Sequence, residues 1–326
     1  MSFVFYSVYA TKEIFSLKKI DIIFATSTPL TVAIPAIIAK IFRKIPYVFE
    51  VRDLWPDFPI QMNIIRSKFV QKMLFLLEYI SYRCATGLVA LAPGTKNEII
   101  RKSSRNPADV IMIPNGCDTE YLSNMGRVAR KEIAIPNEKV VFAYAGTHGK
   151  ANGLIAVVNS AEVLQQRGNT DIHFLLMGEG REKKSLQELA GSKNLSNITF
   201  SGLYDKTKYN EILSEIDIGM QILMNVEAFY YGSSPNKFFD YLAAGKPVLV
   251  NYPGWMSELV TEHGCGISVV PDNPEAFADG AELLASHKNE FQKMGANARS
   301  LAEKEFAQSK ILPRLVEFVE SKSKPA

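Results

Sequence analysis

Short, unbroken apolar runs alternate along the chain with longer segments whose apolar residues recur every three or four positions. An unbroken run suits a strand buried on both faces; the longer period suits an amphipathic helix. The runs at 21–25, 46–51, 87–91 and 110–114 predict strands, with helices over 3–17, 30–42, 67–86 and 94–102. After a polar, irregular stretch at 117–137 the alternation resumes. Strands are predicted over 140–146, 173–178, 198–200, 216–223, 248–250 and 266–270. Helices are predicted over 153–166, 181–190, 208–214, 237–244, 273–286, 290–306 and 312–321. The pattern predicts an α/β protein of two Rossmann-like, doubly wound parallel-sheet domains facing across a cleft. The expected division is an incomplete N-terminal domain at 1–122, a second domain at 123–310, and a terminal helix and tail at 311–326.

Ligands of such sheets sit beyond the carboxyl ends of the strands. The stretch SSPNKFFDYLAAGKPVLVN at 233–251 therefore stands out. Ser233, Ser234, Pro235 and Asn236 cluster where a helix begins, and Gly245 stands where it ends. Free backbone N–H groups and the positive end of the helix dipole meet there, and Lys237 adds a full charge. Asp240, one turn on, is a hydrogen-bond acceptor. The residues suit a diphosphate held by amides and Lys237, with ribose hydroxyls on Asp240. They equally suit an ordinary helix carrying a Lys–Asp surface pair.

Three other clusters follow predicted strands. Gly146, Thr147 and Lys150 lie in the glycine-rich segment YAGTHGKANG at 144–153, which lets a ligand approach the backbone and offers a cation, or is only a turn. MGEGR at 177–181 resembles a dinucleotide fingerprint but lacks its third glycine. It reads as an anion-facing helix start beside Arg181 or as a plain strand-to-helix turn. EVRDLWP at 50–56 puts Arg52 and Asp53 at a strand end, either as an internal ion pair or as a substrate-facing catalytic cluster.

Composition narrows the class. Of 326 residues, 47% are hydrophobic and 22% charged, as in ordinary globular proteins, and a net charge of +3 gives no case for nucleic acid. The three cysteines and four histidines are scattered, so neither a metal site nor a disulfide framework is expected, which suits a reducing cytoplasm. The longest apolar stretch, 31–42, contains Pro35 and Lys40 and falls short of the roughly 20 residues of a membrane span. The N-terminus has no basic leader. It is apolar and aromatic from its first residues, as the middle of a domain is.

EVRDLWP, PNGCD at 114–118, YAGTHGKANGL, MGEGREKKSL and SPNKFFDYLAAGKPV come in one order. Together they resemble the retaining nucleotide-sugar glycosyltransferases of family 4, of GT-B architecture. The resemblance is strongest to bacterial enzymes of O-antigen, capsule or exopolysaccharide assembly, such as N-acetylfucosamine transferases. It implies a nucleotide sugar, UDP-linked, bound mainly by the second domain, and a lipid-linked or oligosaccharide acceptor. It implies Lys237 and the loop from Gly146 to Lys150 at the diphosphate, Asp240 at the ribose, and Leu203 and Tyr204 at the base. Arg52 falls where relatives carry a histidine beside the reacting sugar, with Asp53 next to it. No metal or other cofactor is implied. Gly232 stands at the first acid of the family's paired-glutamate motif, leaving that sugar contact to backbone or to Glu227, and Asp240 replaces the second glutamate. The 147–150 loop lacks the arginine many relatives carry. Relatives also begin with a strand, a glycine-rich loop and a further strand–helix pair not found here, so the chain reads as N-terminally truncated.

The expected function is hexosyl or N-acetylhexosaminyl transfer with retention, by a cytoplasmic protein resting peripherally on the inner face of the plasma membrane through segments such as 39–44. The alternative is a non-catalytic remnant that binds the nucleotide or a partner. An epimerase or phosphorylase of the same fold needs a different acid/base set, and the sequence offers none.

Overall fold

The computed structural model describes residues 2–123, 130–133 and 135–323. Within them the chain divides into two compact units. The first takes in Met1–Asn115, Val226–Ser234 and Ser309–Ala326; the second takes in Gly116–Asn225 and Pro235–Gln308. The units therefore part at 115/116, not at 122/123, and 309–326 belongs to the first unit. The reason is packing.

The first unit holds a four-stranded parallel sheet in the order β1-β2-β3-β4: β1 (Ile23–Thr26), β2 (Tyr47–Val51), β3 (Gly87–Ala90) and β4 (Val110–Met112). Side chains alternate between its faces. On one face Tyr47, Phe49, Val51, Leu88 and Ala90 pack with Ala33, Ala36 and Ile37 of the Ala33–Arg43 helix, Tyr82 of the Lys68–Cys84 helix and Ile99 of the Pro93–Ser103 helix. On the other face Val48, Val89, Leu91 and Ile113 are covered by Ile311, Leu315, Phe318 and Val319. These four lie on the chain's last helix, Gln308–Ser323, which runs through Pro313 rather than starting beside it. Gly87 leaves room for it: a Cβ there would lie 2.9 Å from the Phe318 ring.

A short helix, Glu227–Gly232, is also part of this unit. Phe229 meets Phe58 edge to face at 4.7 Å, and the Thr95 hydroxyl donates to the Gly232 carbonyl at 3.1 Å. Beneath it Lys102 joins Asp57 to the buried Glu78, 3.0 Å away, and the Tyr82 hydroxyl donates to Glu78 at 3.0 Å. Burial pushes the Glu78 carboxyl up to about 7 despite Lys102.

The second unit holds a six-stranded parallel sheet in the order β10-β9-β8-β5-β6-β7. Its strands are β5 (Val140–Ala145), β6 (Ile172–Met177), β7 (Ile198–Ser201), β8 (Ile218–Gln221), β9 (Val248–Val250) and β10 (Gly266–Ser268). The chain builds outward from β5 to β7, then returns to lay β8 on the other side of β5. This is the switch point beyond whose carboxyl ends ligands of open parallel sheets bind. The 290–306 helix is divided: Phe291–Leu301 is α-helical, and Ala302–Phe306 widens into a π turn. Four short helices escaped the periodicity, Asp57–Gln61, Thr119–Ser123, Glu227–Gly232 and Trp255–Glu262.

Removing one partner of a buried ion pair strands the other's charge. Lys102→Met is expected to lower unfolding free energy by about 3–5 kcal/mol, measured by urea titration. The loss should be smaller at pH 6, where Glu78 takes up a proton, than at pH 8.

Candidate functional site

The helix Asn236–Ala243 follows Pro235 and buries Phe238, Phe239, Tyr241, Leu242 and Ala243. It ends at Gly245, whose φ of +64° is left-handed. Tyr241 seats it on the sheet. A Cβ at Gly219 of β8 would lie 2.3 Å from the Tyr241 ring, and the Tyr241 hydroxyl accepts from the Ala145 amide at 3.0 Å. Lys237, one turn before Tyr241, and Asp240 are half-buried at the margin of this packed face.

Beside this helix runs the loop after β5. Gly146 has φ +151°, and its amide donates to the Met177 carbonyl at 2.9 Å. His148 donates its amide to the Glu179 carbonyl at 2.8 Å and accepts from the Glu182 amide at 2.9 Å. The loops touch so closely that a Cβ at Gly178 would lie 2.0 Å from the Gly146 carbonyl oxygen, and one at Gly180 2.3 Å from that of His148. The glycines of MGEG therefore face protein backbone, which disposes of the dinucleotide reading.

A cavity of about 420 Å³ opens between this loop and the helix start. Gly146, Thr147, Asn152, Tyr209, Asn236, Lys237 and Asp240 are among its lining. The Lys237 ammonium donates to the Tyr144 hydroxyl at 3.2 Å and lies 4.3 Å from the centre of that ring. The Tyr144 hydroxyl donates to the Thr147 carbonyl at 3.0 Å, and Asn152 Nδ2 donates to the same oxygen at 2.8 Å. Among the described residues no carboxylate pairs with Lys237, and burial alone pulls its ammonium down to about 8. The Lys–Asp surface pair does not form. Burial pushes the Asp240 carboxyl up to about 6, against the pull of Lys206 and the Tyr209 hydroxyl. That hydroxyl is itself buried and faces Asp240. The cavity thus offers a cation, first-turn amides that no helical carbonyl reaches, and a carboxylate beside a phenol. Diphosphate and vicinal hydroxyls match those groups.

Of the residues singled out in the sequence, Gly146, Thr147, Asn236, Lys237 and Asp240 come together here. Lys150 begins a short turn, Lys150–Asn152, and is exposed, as is Arg181. Leu203 is 76% exposed and Tyr204 half-buried; none of these four lines the cavity. Ser233 and Ser234 belong to the first unit. The Ser233 hydroxyl donates to the Phe229 carbonyl at 2.8 Å, and that of Ser234 accepts from the Asn115 amide at 3.1 Å. Also in the first unit, Arg52 is exposed, and its amide donates to the Ser27 hydroxyl at 3.1 Å. Asp53 accepts from the Thr28 hydroxyl at 3.2 Å, and burial raises its carboxyl. No Arg52–Asp53 ion pair forms among the described residues, so Arg52 presents a free guanidinium. The sequence reading missed Tyr144, Asn152, Tyr209 and Tyr241. Tyr144 looked like strand core, Asn152 lay unremarked in the quoted loop, and Tyr209 carried no local signal.

The sequence matches the family described as glycosyl transferases group 1 over residues 127–301 and that described as glycosyltransferase family 4 over residues 2–121. The uncharacterized glycosyltransferase MJ1069 of Methanocaldococcus jannaschii is 22% identical over 250 residues, which cover 77% of this chain and 60% of that protein. The matches thus span less than two thirds of the curated relatives, 60%, 45% and 41% of their lengths. Anabaena Alr3699/HepE, solved with UDP-glucose, is similar with a TM-score of 0.78 at 17% identity, over 96% of this chain and 82% of that one. A glycosyltransferase from Rickettsia africae gives 0.76 at 16%, over 99% and 83%. The fold is therefore that of the GT-B class.

Inorganic pyrophosphate probes the cation directly. A group titrating near 8 is charged at pH 7 and mostly neutral at pH 9. Calorimetric affinity should fall about tenfold between those values, and the fall should vanish in Lys237→Arg, whose charge persists.

Proposed function

The chain belongs to the glycosyl transferases group 1, and on that premise we propose that it moves a hexose or N-acetylhexosamine from a UDP-sugar, with retention, to a lipid-linked oligosaccharide or polysaccharide precursor. The observation that carries the reading is Lys237: a half-buried cation at a helix start, with no carboxylate partner, over a glycine loop. An anion completes such a site. In this reading Lys237, the Gly146–Thr147 backbone and the first-turn amides take the diphosphate, and Asp240 takes the ribose hydroxyls. Leu203 and Tyr204 meet the base, as the sequence resemblance implies. Lys150 and Arg181, exposed outside the cavity, and Ser233 and Ser234, whose hydroxyls meet Phe229 and Asn115, keep only supporting roles.

As the glycosidic bond breaks, negative charge grows on the leaving diphosphate. A fixed cation there gains more in the transition state than in the ground state, so it raises the rate and not only the affinity. That charge rests on lysine and amides rather than on a metal ion. Arg52 and Asp53 are assigned to the reacting sugar, and the free guanidinium of Arg52 supports that role.

The membrane part of the reading is supported by the first unit's surface. Phe5, Tyr9, Phe42 and Phe69 are 68%, 65%, 73% and 72% exposed, in segments that also carry Lys12, Arg43, Lys44 and Lys68. No helix among the described residues is long and apolar enough to cross a membrane. In this reading the protein rests peripherally on the inner face of the plasma membrane.

Two experiments test the reading. In a UDP-release assay with UDP-sugars, Lys237→Ala should lower kcat about 10²–10³-fold, while Asp240→Ala should act mainly on the donor KM. An unchanged kcat in Lys237→Ala contradicts the role. Flotation should carry the protein up with anionic vesicles and not with neutral ones; failure to float with either removes the membrane part alone.

A further inference from the structure

The first unit has a cavity of its own, about 360 Å³, with Asp57, Gln61, Glu98, Arg101, Glu227 and Tyr231 among its lining. Three helices wall it: Asp57–Gln61, Pro93–Ser103 and Glu227–Gly232. Their packing is fixed. Phe229 rests on Phe58, and the Thr95 hydroxyl holds the Gly232 carbonyl. A Cβ at Gly94 would lie 2.7 Å from Cβ of Tyr231, so two backbones meet there. One lining carboxylate, Glu98, is held by Arg101 at 2.6 Å, and Asp57 shares Lys102 with Glu78 behind the wall. Glu227 makes no ion pair or hydrogen bond within the described residues, so the lining carries an excess of negative charge. Gln61 adds an amide that both donates and accepts, and Tyr231, 44% exposed, adds an aromatic ring.

An aromatic face beside carboxylates and an amide meets both sides of a pyranose, its C–H face and its hydroxyl rim. The excess charge repels anions. Only Ser233 and Ser234 separate Gly232 from Pro235, so the chain that walls this cavity leads directly into the turn that carries Lys237.

We propose that this cavity binds a sugar ring of the acceptor, and that Glu227 sets its specificity by admitting neutral or amino sugars and rejecting uronates. The proposal rests on the transferase reading for the word acceptor; the binding itself does not.

Saturation-transfer NMR on the whole chain, with methyl glucoside, glucosamine and glucuronate as probes, tests it. Signals are expected from the first two and not from the third. Tyr231→Ala and Gln61→Ala should each weaken them at least severalfold, and Glu227→Gln should bring the glucuronate signal up to that of the glucoside. Circular dichroism and a UDP titration of each variant separate lost binding from lost folding. Silence from all three sugars overturns the proposal, as does a glucuronate signal equal to the others in the unaltered chain. Sugar signals that survive both Tyr231→Ala and Gln61→Ala overturn it too. If UDP fails to bind while the sugars behave as expected, the donor reading falls and this one stands.

Discussion

Tyr241 fills the space that Gly219 leaves open in β8, and its hydroxyl takes the amide of Ala145 at the end of β5. One side chain thus ties the helix Asn236–Ala243 to both strands of the switch point. Lys237, four residues earlier, sits one turn away on the same helix, so its ammonium is carried to a fixed place beside Tyr144 and Gly146. A larger residue at 219 would meet the Tyr241 ring and push the helix, and the charge with it, away from the loop. The position of the charge is therefore a property of the core rather than of a mobile surface lysine.

A second constraint shapes the first unit. A parallel sheet needs cover on both faces. Here the helices between its own strands supply one face, and the chain's last helix supplies the other. The segment Val226–Ser234 also belongs to this unit, although it lies between β8 and the helix that carries Lys237. The covalent order of the chain and the order of its packing differ, and the residues nearest Lys237 in sequence are shared out between two cores.

Most strands were legible because they are unbroken apolar runs, and the long helices because their period is regular. Short helices such as Glu227–Gly232 were not legible, since six residues hold too few turns to show a period. The home of the last helix was hidden as well. Its apolar stripe of Ile311, Leu315, Phe318 and Val319 says that it packs, not on what. Within the candidate site Lys237, Asp240 and Gly146 were visible, because a helix start and a glycine loop after strands carry a local signature. Tyr144, Tyr209 and Tyr241 were not. Two of them act through a partner far away in sequence: 93 residues for Tyr144 and Lys237, 96 for Tyr241 and Ala145. Ser233 and Ser234 looked like phosphate ligands by the same local signature that identified Lys237. The fold instead spends their hydroxyls on Phe229 and Asn115.

We propose that the charge fixed by Tyr241 and the carboxylate of Asp240 form one nucleotide site in the second unit. Calorimetric titration of the whole chain with UDP tests this most directly, run beside Lys237→Ala and Asp240→Ala with folding checked by circular dichroism. The unaltered chain should bind UDP, and each variant should lose that binding or show it sharply weakened. A folded chain that binds no UDP, or that binds it equally well in all three forms, would contradict it.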